Sequence, residues 1–176
     1  DTPATRRVAI RTAIVLGDGS ALVPLLRLAR FGLGGPQWDT LWFSTRARRE
    51  AGTQHEFGAR WGRQMFSWIH LDDVAGALGF LEGHGGIDGV VNLAAPTPVT
   101  GVELMRAVRR AVGMPVGLPA PRPVLEIGAW LIRTETELLL KSRWVVPERL
   151  LQACYAFRHP KLAPAIADVV ASQVVE

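Results

Sequence analysis

The sequence has one cysteine, Cys154, and one tyrosine, Tyr155, among 176 residues. A lone cysteine cannot close an internal disulfide, and zinc sites built from cysteine clusters are excluded with it. Long apolar runs are missing too. The most apolar stretches, Ile127 to Ile132 and Leu138 to Leu140, fall far short of the roughly 20 residues needed to span a bilayer. The opening Asp-Thr-Pro-Ala-Thr-Arg-Arg is not followed by the apolar core of a secretion signal. The simplest expectation is a reducing, cytoplasmic setting with no membrane partner.

The motifs of several chemistries are equally missing. Gly17-Asp-Gly19 lacks the third glycine of a G-x-G-x-x-G turn, and Gly83-His-Gly85 runs on to Asp88 where that glycine belongs. No G-x-S-x-G nucleophile elbow occurs. Tyr155 is followed four residues later by His159 rather than lysine, so no Tyr-x-x-x-Lys pair can be built. His55, His70, His84 and His159 lack the spacing of a metal motif. On motifs alone, no catalytic residue and no metal ligand is assigned.

What remains describes a folded, basic protein. Hydrophobic residues make up 48% and charged residues 20%, with mean hydropathy +0.16, a composition able to build one core without staples. The formal charge is +4. The cations concentrate at Arg46, Arg48, Arg49, Arg60 and Arg63, interleaved with Trp42, Phe43, Phe57 and Trp61. A solvated basic hairpin is the first reading of that mixture, and a site for an anionic small molecule or cofactor phosphate the second. Nucleic acid ranks last, because binding through phosphates needs many cations in one groove.

Along the chain, short β-branched runs alternate with helical spacing, the pattern of an α/β protein. Arg7 to Leu16 reads as a buried strand ending at a Gly17-Asp-Gly19 turn, with a helix opening from Ser20 and Pro24 near its start. Gly32 to Gly62 reads as a glycine- and arginine-rich excursion, and Trp38 to Trp61 within it as the most mobile part, for want of periodic apolar anchors. Phe66 to Leu71 is a short strand, and Asp72 and Asp73 after it read as caps of the next helix. Gly89 to Ala94 is another strand, expected parallel to and beside Arg7 to Leu16, since both are apolar on two faces. Thr100-Gly-Val-Glu103 is a capping box opening a helix toward Gly113. Helices are expected near Pro121 to Ile132 and Glu135 to Lys141, with Pro147 at a first helical turn.

Ile10 to Gly17, Gly32-Leu-Gly-Gly35, Gly62 to Asp73 and Val91 to Thr100 together resemble the epimerase-like branch of the extended short-chain dehydrogenases. Leu138 to Leu150 and Tyr155 to Leu162 resemble the small C-terminal domain of that branch, the DUF1731 type. The resemblance implies the C-terminal part of a doubly wound parallel sheet, Rossmann-like, plus a small, mostly helical substrate-side domain. On that reading residues 1–120 belong to the nucleotide-binding fold, with an inserted loop at about 36–62, and 121–176 form the family-specific domain.

The resemblance further implies NADP or NAD as cofactor of an intact parent, whose glycine fingerprint and Tyr-x-x-x-Lys pair lie upstream of Asp1. Thr12, Ile14 and Val15 fall on the cofactor side. Arg63, Gln64, Trp68 and His70 fall on the substrate side, the arginine being suited to a carboxylate or phosphate. The chain alone is expected neither to bind NADPH nor to turn over a small-molecule substrate, and to pair with the missing half or with itself through an exposed sheet edge. The alternative is a free-standing module that holds an anionic ligand, partner protein or nucleic acid through Arg46 to Arg63.

Overall fold

A computed structural model describes residues 5–18, 22–35, 37–38, 63–118, 120–121 and 144–172. The elements are β1 (Val8–Thr12), β2 (Ile14–Leu16), α1 (Leu22–Arg30), β3 (Gln37–Trp38), β4 (Met65–Phe66), β5 (Trp68–His70), α2 (Leu71–Gly83), β6 (Gly89–Leu93), β7 (Val99–Thr100), α3 (Gly101–Ala111), β8 (Ala120–Pro121), α4 (Glu148–Gln152) and α5 (Leu162–Ser172). The chain divides into two compact units. One comprises Asp1–Val23, Ser67–Val99 and Trp144–Glu176, the other Pro24–Phe66 and Thr100–Arg143.

The first unit is built on parallel pairing. β1 runs beside β6 with Val8 opposite Gly89 and Thr12 opposite Leu93, the parallel pairing expected; the expected burial does not extend to β1, where Ala9 to Thr12 are exposed. At Ala13 the chain changes neighbour: its amide bonds the Leu93 carbonyl at 2.9 Å, and the Ile14 amide bonds that of Ser67 at 3.3 Å. From there β2 pairs in parallel with β5, Ile14 opposite Trp68 and Leu16 opposite His70. One segment, Val8 to Leu16, thus joins β6 to β5. Ile69, Ala77, Leu81, Val91, Leu93 and Leu150 form the core, with Val74, Phe80, Tyr155 and Phe157 packed against it.

α4 packs on β6 and α5 on β2. α4 ends in a Schellman turn in which the Tyr155 amide bonds the Leu150 carbonyl at 2.9 Å. The left-handed position of that turn belongs to Cys154, at φ 60°, where glycine is usual. Pro147 stands at the N-cap of α4, one residue before the first-turn place expected for it. Arg6 closes the far end of α2, donating to the carbonyls of Leu81, His84 and Ile87 at 2.8, 3.0 and 2.8 Å.

In the second unit α1 ends at Gly32, φ +77°, with the Leu33 amide on the Leu28 carbonyl at 3.0 Å. Glycine suits that left-handed position. α3 opens with the expected capping box. Thr100 Oγ1 accepts from the Glu103 amide at 3.3 Å, and the Glu103 carboxylate accepts from the Thr100 amide at 2.7 Å. These bonds lower the Glu103 pKa, the backbone bond from Thr100 most. The helix ends at Val112, with Gly113 left-handed at φ +73°. β3 and β8 pair in parallel, Gln37 opposite Ala120.

The expected mobility of Trp38 to Trp61, the basic cluster from Arg46 to Arg60, and the helices expected over 121–132 and 135–141 fall, apart from Trp38 in β3 and Pro121 in β8, outside the described residues. Among those described, no helix is long and apolar enough to cross a membrane.

Candidate functional site

In open parallel sheets, ligands bind beyond the carboxyl ends of the strands. In the first unit those ends are Thr12 of β1, Leu16 of β2, His70 of β5 and Leu93 of β6. The strand ends pass into Gly17-Asp18, α2 and the Ala94 to Thr97 turn. Thr12 is exposed, whereas Ile14 and Val15 are half-buried in β2. Trp68 is fully buried, and its indole N–H donates to the Thr97 carbonyl at 3.2 Å. The Asn92 amide lies 3.5 Å from the Val146 carbonyl.

Arg63 and Gln64 belong to the second unit. Arg63 is exposed, and Gln64 is buried against Gly101, where an added Cβ would stand 2.7 Å from the Gln64 amide nitrogen. The Gly101 amide also bonds the Gln64 carbonyl at 2.9 Å.

His70 is the most loaded position of the first unit. It is buried, and its Nδ1 caps α2 by accepting from the Asp72 amide at 3.2 Å. The imidazole therefore does the capping expected of Asp72 and Asp73. Those two carboxylates turn instead to the segment before α5. Asp73 is buried and accepts from the backbone amides of Arg158 at 2.6 Å and His159 at 2.9 Å. Asp72 Oδ2 receives Arg158 Nη1 at 3.2 Å and His159 Nε2 at 3.3 Å.

The His70 and His159 rings lie 3.8 Å apart between centroids. Asp168 of α5 places Oδ2 3.5 Å from His70 Nε2. Spacing along the chain could not show this cluster, because 70 and 159 meet only through the fold. The one local signal was a histidine embedded in an apolar strand.

Electrostatics follow from that packing. Burial, helped by the neighbouring His159, holds the His70 pKa below its ordinary value, against the pull of Asp72, Asp168 and Asp73. Asp72 loses some water to burial, but hydrogen bonding from His159, with the charges of His70 and Arg158, brings its pKa down. Tyr155 is pushed up by burial and by Asp73, whose backbone carbonyl accepts its hydroxyl at 3.3 Å. That arrangement holds the Tyr155 hydroxyl against the backbone of α2.

For a nicotinamide ring the strand ends offer Thr12, an exposed polar side chain, whereas Ala94 and Ala95 are buried. The pyrophosphate has no such provision in the sequence, which lacks the glycine fingerprint.

Residues 120–169 match a family described as Domain of unknown function (DUF1731). Over 169 residues the chain is 34% identical to the mouse epimerase family protein SDR39U1, covering 95% of this chain and 49% of that protein. An epimerase family protein of Mycobacterium leprae is 35% identical over 106 residues, 60% of this chain and 34% of its own length. Among solved structures, human SDR39U1 with NADPH superposes with a TM-score of 0.70 at 29% identity, covering 95% of this chain and 49% of that one. At 11% identity, the NAD complex of dTDP-glucose 4,6-dehydratase from Bacillus anthracis shares the fold, with a TM-score of 0.61 over 96% of this chain and 45% of that one.

The chain thus spans about half the length of the curated relatives it matches. Its parallel pairing is that of the Rossmann-like sheet. The chain belongs to the epimerase-like branch of the extended short-chain dehydrogenases that carries the DUF1731 domain.

Proposed function

We propose that this chain supplies the substrate-side part of an NAD(P)-dependent epimerase or oxidoreductase, and that it acts together with a nucleotide-binding half carrying the glycine fingerprint and the Tyr-x-x-x-Lys pair. The supporting observation is the likeness to human SDR39U1 solved with NADPH, which takes in 95% of this chain. On this reading Thr12, Ile14 and Val15 border the nicotinamide. Arg63, Gln64, Trp68 and His70 serve the substrate side, Arg63 through its charge, Gln64 and Trp68 by holding backbone in place, and His70 by capping α2.

The cofactor supplies hydride transfer when bound. These residues orient and shield it, and the proton-transfer group comes from outside this chain. The experiment is a titration with NADPH, followed by tryptophan fluorescence, of this chain alone and of the chain joined to a nucleotide-binding half. Saturable binding is expected only in the second case. Micromolar binding by the 176 residues alone would reverse the assignment.

A further inference from the structure

We infer that His70, His159, Asp72 and Asp168 form a binding site for a divalent transition-metal ion of the zinc class, fastening α5 to the start of α2. The four side chains come from the end of β5, the first turn of α2, the segment before α5 and α5 itself. One potential ligand atom from each lies within 4.8 Å of all the others. Two observations beyond the clustering point to an ion. The first concerns His70, whose relative exposure is 4%. Its Nε2 is buried without a hydrogen-bond partner among the described residues, although it points at Asp168. A buried ring nitrogen in that state has lost its water without replacement.

The second is distance. Zinc bonds of about 2.0–2.1 Å in a tetrahedron set neighbouring ligand atoms about 3.3 Å apart. His159 Nε2 to Asp72 Oδ2 is 3.3 Å, and His70 Nε2 to Asp168 Oδ2 is 3.5 Å. Two carboxylates and two imidazoles match the hardness of zinc rather than that of calcium or magnesium. The carboxylates carry two negative charges, of which Arg158 offsets one through Asp72.

Coordination asks for defined adjustments. His70 must offer its Nε2 lone pair, so its proton moves to Nδ1 and the Asp72 amide bond is given up. Two imidazoles on one tetrahedral ion have centroids about 5 Å apart, so the present 3.8 Å pair opens by about 1 Å. His159 lies on an irregular segment and Asp168 is exposed on α5, which leaves both side chains room to adjust.

The inference goes beyond the proposed reaction and needs no substrate to test. The tag-free full chain, freed of metal with a chelator, is titrated with Zn2+ by calorimetry and by thermal unfolding, alongside D168N, H159Q and H84Q. One ion per chain and a raised Tm are expected. D168N and H159Q should each weaken binding about tenfold or more, while H84Q, altering a histidine outside the cluster, binds as the parent does. D168N changes an exposed side chain, so it reads out even if H159Q fails to fold. Failure to bind Zn2+, or binding that D168N leaves intact (an adventitious ion only), would overturn the site.

Discussion

Gly76 and Gly79 lie three residues apart on α2, and both are exposed, so intrinsic propensity predicts the same gain from alanine at each. That gain is about 0.8–1 kcal/mol. The surroundings separate them. A Cβ at Gly79 meets nothing within 4 Å, whereas one at Gly76 would stand 2.5 Å from the Tyr155 hydroxyl oxygen. Tyr155 cannot swing away freely. Its hydroxyl is bonded to the Asp73 carbonyl at 3.3 Å, and its ring is held edge-on by Phe80 and Phe157 at 5.2 and 4.8 Å between centroids.

The contact must open by well over half an ångström, an overpacking cost of about 1–3 kcal/mol. Propensity cancels between the two variants, so that cost is the difference expected between them. For a chain of this size, about 2 kcal/mol corresponds to about 4–8 °C in Tm. Gly79→Ala should therefore unfold above the parent, and Gly76→Ala at or below it, in thermal and urea melts run side by side. Equal stabilisation by both would refute the packing of Tyr155 over α2.

Other expectations follow from single contacts. Asp73→Ala strips the acceptor from two backbone amides and should cost about 3 kcal/mol or more in urea unfolding, with Asp73→Asn, which keeps one oxygen, falling between. Thr100→Ala removes the cap of α3 and should cost about 1 kcal/mol. It should also flatten the acid limb of a stability profile: the Glu103 pKa is depressed in the folded state, so its contribution is present above the unfolded carboxylate pKa and is lost as pH falls through the folded value. For His70 the folded pKa is likewise depressed, chiefly by burial. Stability measured with chelator present should decline as pH falls below about 6.5, and His70→Asn, which can still cap α2, should lessen that decline. Cys154→Gly relieves a left-handed residue and should raise stability by about 0.5–1 kcal/mol in the same melts.

The sequence by itself determined the local features whose causes are local. The capping box at Thr100 and Glu103, the left-handed glycine after α3, and the strands at Val8 to Leu16 and Gly89 to Leu93 were legible because hydrogen-bonding side chains a few residues apart and doubly apolar runs have few other uses. Their parallel pairing was also expected, but the burial expected with it was not found in β1, whose Ala9 to Thr12 are exposed. Only the tertiary structure decided the roles of Asp72, Asp73, Trp68 and His70. Asp72 and Asp73 look like helix caps from sequence because an acidic residue at a first turn usually is one. Here α2 is already capped by His70, so the carboxylates are free for the amides and side chains of Arg158 and His159, more than eighty residues away. The Trp68 indole is satisfied by a carbonyl twenty-nine residues on. The tilted approach of the His70 and His159 rings beside Asp168 arises only when α5 packs onto β2. Contacts across such separations are set by how whole elements pack, and no spacing within one element encodes them.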